Sequence, residues 1–186
     1  MNTRIARLGT LTGIFGGVAM ALFAMTATAL SGHGFFTLTN VIAHTLWHGA
    51  PLDGEYVFSA LVIGLAVHLV VSITVGTVIA FFVERGSLDG GIVFLVAVVI
   101  GVGAWMTQSI VWPRLDDAAH NEFIPWVLAV AHVVFAVGGA TALQRLGSRV
   151  ATDDVGADLA PRLSGAPLAA TEVAPQSARI SYRPFE

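Results

Sequence analysis

The 186-residue chain is 55% apolar and only 11% charged, whereas a soluble domain carries roughly a quarter charged residues, so a water-soluble fold would have to leave large apolar patches bare. Its nine basic residues are all Arg, and twelve acids bring the formal charge to −3, which argues against a nucleic-acid binder. The absence of Cys excludes disulfides, thiolate ligation of haem or iron–sulfur clusters, and thiol catalysis.

A bilayer core about 30 Å thick is crossed by roughly 20 apolar residues in a helix. The first run of that kind covers residues 9–30 and has no charge. Two Arg ahead of it and Ala27-Thr28-Ala29 near its end also fit a cleavable signal peptide. The run is longer than the usual apolar region of such a peptide, roughly 7–15 residues. It also carries Gly9, Gly13, Gly17 and Ala21 at four-residue spacing, a helix-packing stripe that favours a retained span.

Residues 31–54 form a long connection, and within it residues 35–48 place Phe35, Leu38, Val41, Ile42 and Leu46 at near-helical spacing. Gly49 and Pro51 then stop the pattern. This predicts a short helix lying on or dipping into the outer leaflet. The second span covers residues 56–83 and the third 91–112, joined by a short loop that makes them antiparallel neighbours. A polar, acidic loop at 113–121 leads to the fourth span at 123–143. From residue 147 to 186 the composition shifts to Ala, Pro, Ser, Asp and Gly, which predicts a flexible cytoplasmic tail after a transmembrane domain of residues 1–146.

None of the four runs alternates with period two, so helices rather than barrel strands must satisfy the backbone in lipid. The predicted fold class is therefore an all-α membrane protein, a four-transmembrane-helix bundle with a short outer interfacial helix. Arg4, Arg7, Arg85, Arg145 and Arg149 fall on one side of the bilayer and Arg114 alone on the other. The positive-inside bias places both termini in the cytoplasm of a bacterial-type cell, with the chain in its inner membrane. Trp47, Tyr56, Trp112 and Trp126 then gather at the outer boundary, where amphipathic rings settle.

Helices in lipid associate through small residues that let backbones approach. Such rows are Ala60, Gly64, Ser72, Gly76 and Ala80 in the second span, Ala97, Gly101 and Ser109 in the third, and Ala129, Ala136 and Ala140 in the fourth. The Gly64-x3-His68-x3-Ser72-x3-Gly76 helix within a four-span chain resembles uncharacterised small bacterial membrane proteins of the domain-of-unknown-function kind. That resemblance covers the second span and the general layout, and it implies no activity.

The six histidines are the residues with chemistry to offer. His68 and His132 lie inside spans, roughly 18 Å and 15 Å from the outer ends of their helices at the α-helical rise. An ionisable side chain at that depth marks a functional site by default. Three readings follow: axial ligands for a haem b, a proton relay, or neutral imidazoles donating across a helix interface to a carbonyl or a hydroxyl such as Ser72, Thr74 or Thr107. At the outer face His44 and His48 share one helix side, Asp116 and His120 repeat that spacing with a carboxylate, and His33 adds a nitrogen. Imidazole and carboxylate there would suit zinc or copper. The general base of a zinc protease is missing, since Thr45 stands where HExxH needs Glu.

No phosphate loop or hydrolase elbow occurs, and a Ser72–His132 intramembrane protease would be a forced reading, so no catalytic residue is expected. The sequence thus points to an accessory or structural subunit surrounded by lipid and membrane-protein partners. A metal- or haem-binding redox subunit is the alternative. A small proton-coupled transporter or channel is the third reading, and the lack of a central Asp, Glu, Arg or Lys in any span speaks against it.

Overall fold

The computed structural model describes the backbone of residues 3–163 and the side chains of residues 3–147. Six helices follow in order: α1 (Thr3–Leu30), α2 (Thr37–His44), α3 (Phe58–Gly86), α4 (Gly90–Leu115), α5 (Asp117–Asn121) and α6 (Pro125–Leu163), with no strand among the described residues. Four of them, α1, α3, α4 and the Pro125–Gly147 part of α6, are long and apolar enough to cross a membrane. The chain is all-helical over the regular elements of its described residues, and its four apolar helices make it a multi-pass membrane protein. Met1–Arg149 form one compact unit. The second unit, Val150–Glu186, is helical as far as Leu163, so helix runs past residue 147 where the tail was expected to begin. The rest of that expected tail, 164–186, lies outside the described residues.

The helices outrun their apolar cores because the charged ends still form good backbone hydrogen bonds. α1 begins at Thr3, which brings Arg4 Nε to 3.1 Å from Glu84 Oε2 near the end of α3. Arg85 lies over the ring of Phe81, 5.6 Å from its centre. α3 ends with Ser87 in a left-handed conformation (φ 48°), and the Leu88 N–H reaches back to Val83 O, as in the usual glycine-type helix stop. Pro125 opens α6 at the position where its missing N–H costs nothing.

The glycine stripe of α1 does what its spacing promised. A Cβ on Gly9 would meet Thr77, one on Gly13 would lie 2.5 Å from Ile73 Cα, and one on Gly17 would lie 2.7 Å from Ser72 Oγ. The row fits the small residues of α3, all of which (Ala60, Gly64, Ser72, Gly76, Ala80) are buried. Gly16 meets the backbone of Phe135, and Gly139 of α6 meets Thr12, so α1 packs on α6 by a second face. α4 joins through Gly101, whose Cβ would approach His132 O and Ala136. Ser109, expected in that packing row, is exposed and turns its hydroxyl onto Trp105 O.

α2 departs most from expectation. It spans Thr37–His44 rather than 35–48, and all eight of its residues are buried within the protein. Gly64 gives it room on α3, at the backbone of Thr39. Asn40, 0% exposed, donates to Asp53 O and Glu55 O at 2.9 and 2.8 Å and so anchors the connection to α3. Beside it, Gly34 and Gly54 touch backbone to backbone: a Cβ on either would lie 2.6 Å from the other's Cα. The expected polar loop 113–121 holds the one-turn helix α5.

Candidate functional site

A cavity of about 400 Å³ opens between α3, α4 and α6, towards the end of the bundle where α2 and α5 lie. Val67, Val71 and Val75 of α3 wall one side, and Ala104, Val111 and Leu115 of α4 another. Leu38 and Ile42 of α2 close one end, with Met20 of α1 and Phe123, Leu128 and Phe135 completing the apolar lining. The polar groups on its wall are His68, Ser72, Thr107, Gln108, Trp112 and His132. The α1–α3 seam closes on glycine, whereas α3 and α4 face the gap with Val67, Val71, Val75, Val111 and Leu115.

Both intramembrane histidines therefore face one space, and each spends one nitrogen on a carbonyl. His68 Nε2 donates to Gly17 O across the α1–α3 seam at 3.0 Å, with Ser72 Oγ 3.4 Å away. His132 Nδ1 donates to Leu128 O one turn back at 2.8 Å. Of the hydroxyls anticipated as acceptors for the two histidines, Ser72 is a neighbour of His68, whereas Thr74 and Thr107 donate their protons to Val70 O and Gly103 O in their own helices. Haem ligation by the His68–His132 pair would require His68 to give up Gly17 if Nε2 were the iron ligand. Thr107 was named from sequence only as a hydroxyl partner for the histidines, and Gln108 and Trp112 were not singled out as site residues. No pattern marks them, because the cavity exists only where three helices fail to meet.

The outer constellation assembles in part. His44 Nδ1 donates to Asp116 Oδ2 at 2.6 Å, both side chains being buried. Asp116 Oδ1 accepts the Ala119 N–H at 3.0 Å and so caps α5. Burial acts to raise the pKa of Asp116. The Ala119 N–H, the His44 hydrogen bond and the charge that His44 and His48 carry when protonated outweigh it, and the carboxyl titrates below its ordinary range. The His48 ring stands 5.2 Å from that of His44, tilted by 59°. His33 is exposed and pairs with Ser31 O, while His120 lies in the last turn of α5. Among the described residues no three His, Cys, Asp or Glu side chains come together as a metal site. The expected set of His33, His44, His48, Asp116 and His120 is thus reduced to a buried His44–Asp116 pair with His48 alongside.

Comparison with known protein families, curated proteins and solved structures returns no match. The class is set by the four apolar helices, and any function must be argued from the cavity itself.

Proposed function

We propose that this chain is a membrane-resident binding protein that holds a lipid-soluble small molecule in the cavity between α3, α4 and α6. The observation that carries the reading is the cavity's make-up: about 400 Å³, walled by Val, Leu, Met and Phe, with His68, His132, Thr107 and Gln108 among its few polar groups. Small-molecule sites are typically of this size, apolar with a few convergent polar groups that fix orientation. The surrounding solvent is lipid, so a ligand reaches such a site by partitioning into the bilayer first.

The test is retention. Protein purified in mild detergent or nanodiscs is extracted with organic solvent and the extract compared by mass spectrometry with that of Ala104→Phe and Val71→Phe, which fill the cavity. A small lipid-soluble molecule near one per chain, lost from both variants, is the expected result. Equal content in all three proteins, or no such molecule in any, overturns the reading.

A second reading, an accessory subunit of a larger membrane assembly, draws support from α4. Of its 26 residues only Val93, Ala97 and Gly101 are buried, and Gly103 has open space where a Cβ would project. Co-purification of a stoichiometric membrane partner, lost when Gly103 becomes Leu, is its test. For either reading we infer a bacterial-type cytoplasmic membrane with both termini inside, on the distribution of Arg. A metal-based redox role has less support, because no three His, Cys, Asp or Glu side chains come together among the described residues, and a haem-based one rests on the His68–His132 pair alone. Proton-coupled transport draws only on the two mid-span histidines, and among the described residues no Asp, Glu, Lys or Arg lines the cavity.

A further inference from the structure

The hydrogens on the cavity wall follow from their partners, because backbone carbonyls only accept. His132 Nδ1 faces Leu128 O, so Nδ1 carries the proton and the neutral ring presents a lone pair at Nε2. His68 Nε2 faces Gly17 O, so its lone pair is at Nδ1. Thr107 gives its hydroxyl proton to Gly103 O and keeps only acceptor capacity. Neither His132 Nε2 nor His68 Nδ1 has a partner among the described residues. Two imidazoles and a threonine thus offer the cavity acceptors. Donors on the same wall are the Gln108 amide, the Ser72 hydroxyl and Trp112 Nε1–H, the last buried without a partner.

From this balance we propose that the ligand is a lipid-soluble alcohol or phenol whose hydroxyl donates to His132 Nε2. A ketone, quinone, ether or ester can only accept, and would leave the histidine lone pairs facing hydrocarbon unpaired. A hydroxyl supplies the missing proton and still has lone pairs for Gln108. His132 is the better anchor of the two. Its free nitrogen is the outer atom of the ring, and the Leu128 bond holds the ring in place, whereas the free nitrogen of His68 lies next to its own main chain. The inference rests on the cavity holding a small molecule, and adds the chemistry of its head group.

Matched probes that differ only in the hydroxyl proton separate the two claims. Partition of farnesol, farnesyl methyl ether, 4-nonylphenol and 4-nonylanisole is measured between nanodiscs with protein and nanodiscs without. The expected outcome is that at least one hydroxyl compound binds about 10-fold tighter than its ether, the worth of one buried hydrogen bond. Which hydroxyl binds more tightly tells a prenyl-type alcohol from a phenol. In His132→Phe the ratio should fall to about 1 with ether affinity kept within about 2-fold. Equal binding of both pairs to the wild-type protein overturns the hydroxyl assignment and leaves the cavity reading intact. Failure of all four to bind overturns both. A preference unchanged in a folded His132→Phe overturns the choice of His132. The wild-type comparison needs no variant, so a misfolded mutant would not shield the proposal.

Discussion

His44 and Asp116, 72 residues apart in the chain, meet through a 2.6 Å hydrogen bond between buried side chains. The bond ties the last residue of α2 to the junction of α4 and α5, and the same carboxylate caps α5. α2 in turn closes one end of the cavity with Leu38 and Ile42. The pair therefore holds the roof of the candidate site in place. The folded carboxyl titrates below its unfolded value, so its contribution is whole at neutral pH and is lost as pH falls through the lowered value, below about pH 4. Asp116→Asn should cost about 1.5–3 kcal/mol near pH 7, the range for a hydrogen bond to a charged group. The wild-type and variant melting curves should converge under strong acid. A deficit that persists undiminished there would show that the carboxylate charge is not what matters.

The α1–α3 seam gives a paired prediction. A Cβ on Gly13 would lie 2.5 Å from both Ile73 Cα and Ser72 O, backbone atoms that cannot step aside. Gly13→Ala should destabilise by about 1–3 kcal/mol, as overpacking does. Gly103→Ala meets open space, and the better helix propensity of Ala should leave it neutral or more stable by up to about 1 kcal/mol. Thermal denaturation of both in one detergent checks the contrast. Equal effects would mean that the seam is not where the helices press together.

Asn40 offers a third measurement. Its amide donates to Asp53 O and Glu55 O, holding the α2–α3 connection from inside. Asn40→Ala loses two bonds worth about 1 kcal/mol each. Asn40→Asp should be worse, because it sets a carboxylate against two carbonyls. Limited proteolysis between residues 53 and 56 should quicken in the order wild type, Ala, Asp. Identical cleavage in all three would show that the loop is held by something else, with the Gly34–Gly54 contact the next suspect.

The four crossings were legible because lipid imposes a length, and the small-residue rows because close approach demands such residues at fixed spacing; that the rows of α1 and α3 meet each other was not legible. α2 was legible as a helix but not in its surroundings. Leu38, Val41 and Ile42 suit a membrane surface and a protein interior equally well, so hydrophobic period could not tell the two apart. The depth of His68 and His132 could be counted along their helices. Their shared cavity could not be, since it is a gap between side chains rather than a motif. Which ring nitrogen is spent depends on Gly17 and Leu128 carbonyls that sequence does not orient. His44 and Asp116 were both candidates as metal ligands. Nothing in a single sequence couples two residues so far apart, and their contact turned out to be with each other.

Orientation in the bilayer is open to direct measurement. Arg4, Arg7, Arg85 and Arg145 belong to one end of the apolar helices and Arg114 to the other. Arg4 is paired with Glu84 at 3.1 Å, but the topology bias counts basic residues rather than net charge, so the pairing does not cancel it. The chain has no Cys, which makes single-cysteine labelling clean. Glu55→Cys and Asp89→Cys replace exposed residues at opposite ends of α3 and α4. A membrane-impermeant maleimide should label Glu55→Cys in intact cells and Asp89→Cys only after permeabilisation. The reverse pattern would put the Arg-rich end outside. The cavity's nearer end would then lie towards the cytoplasm, and the His44–Asp116 pair would experience cytoplasmic rather than external pH.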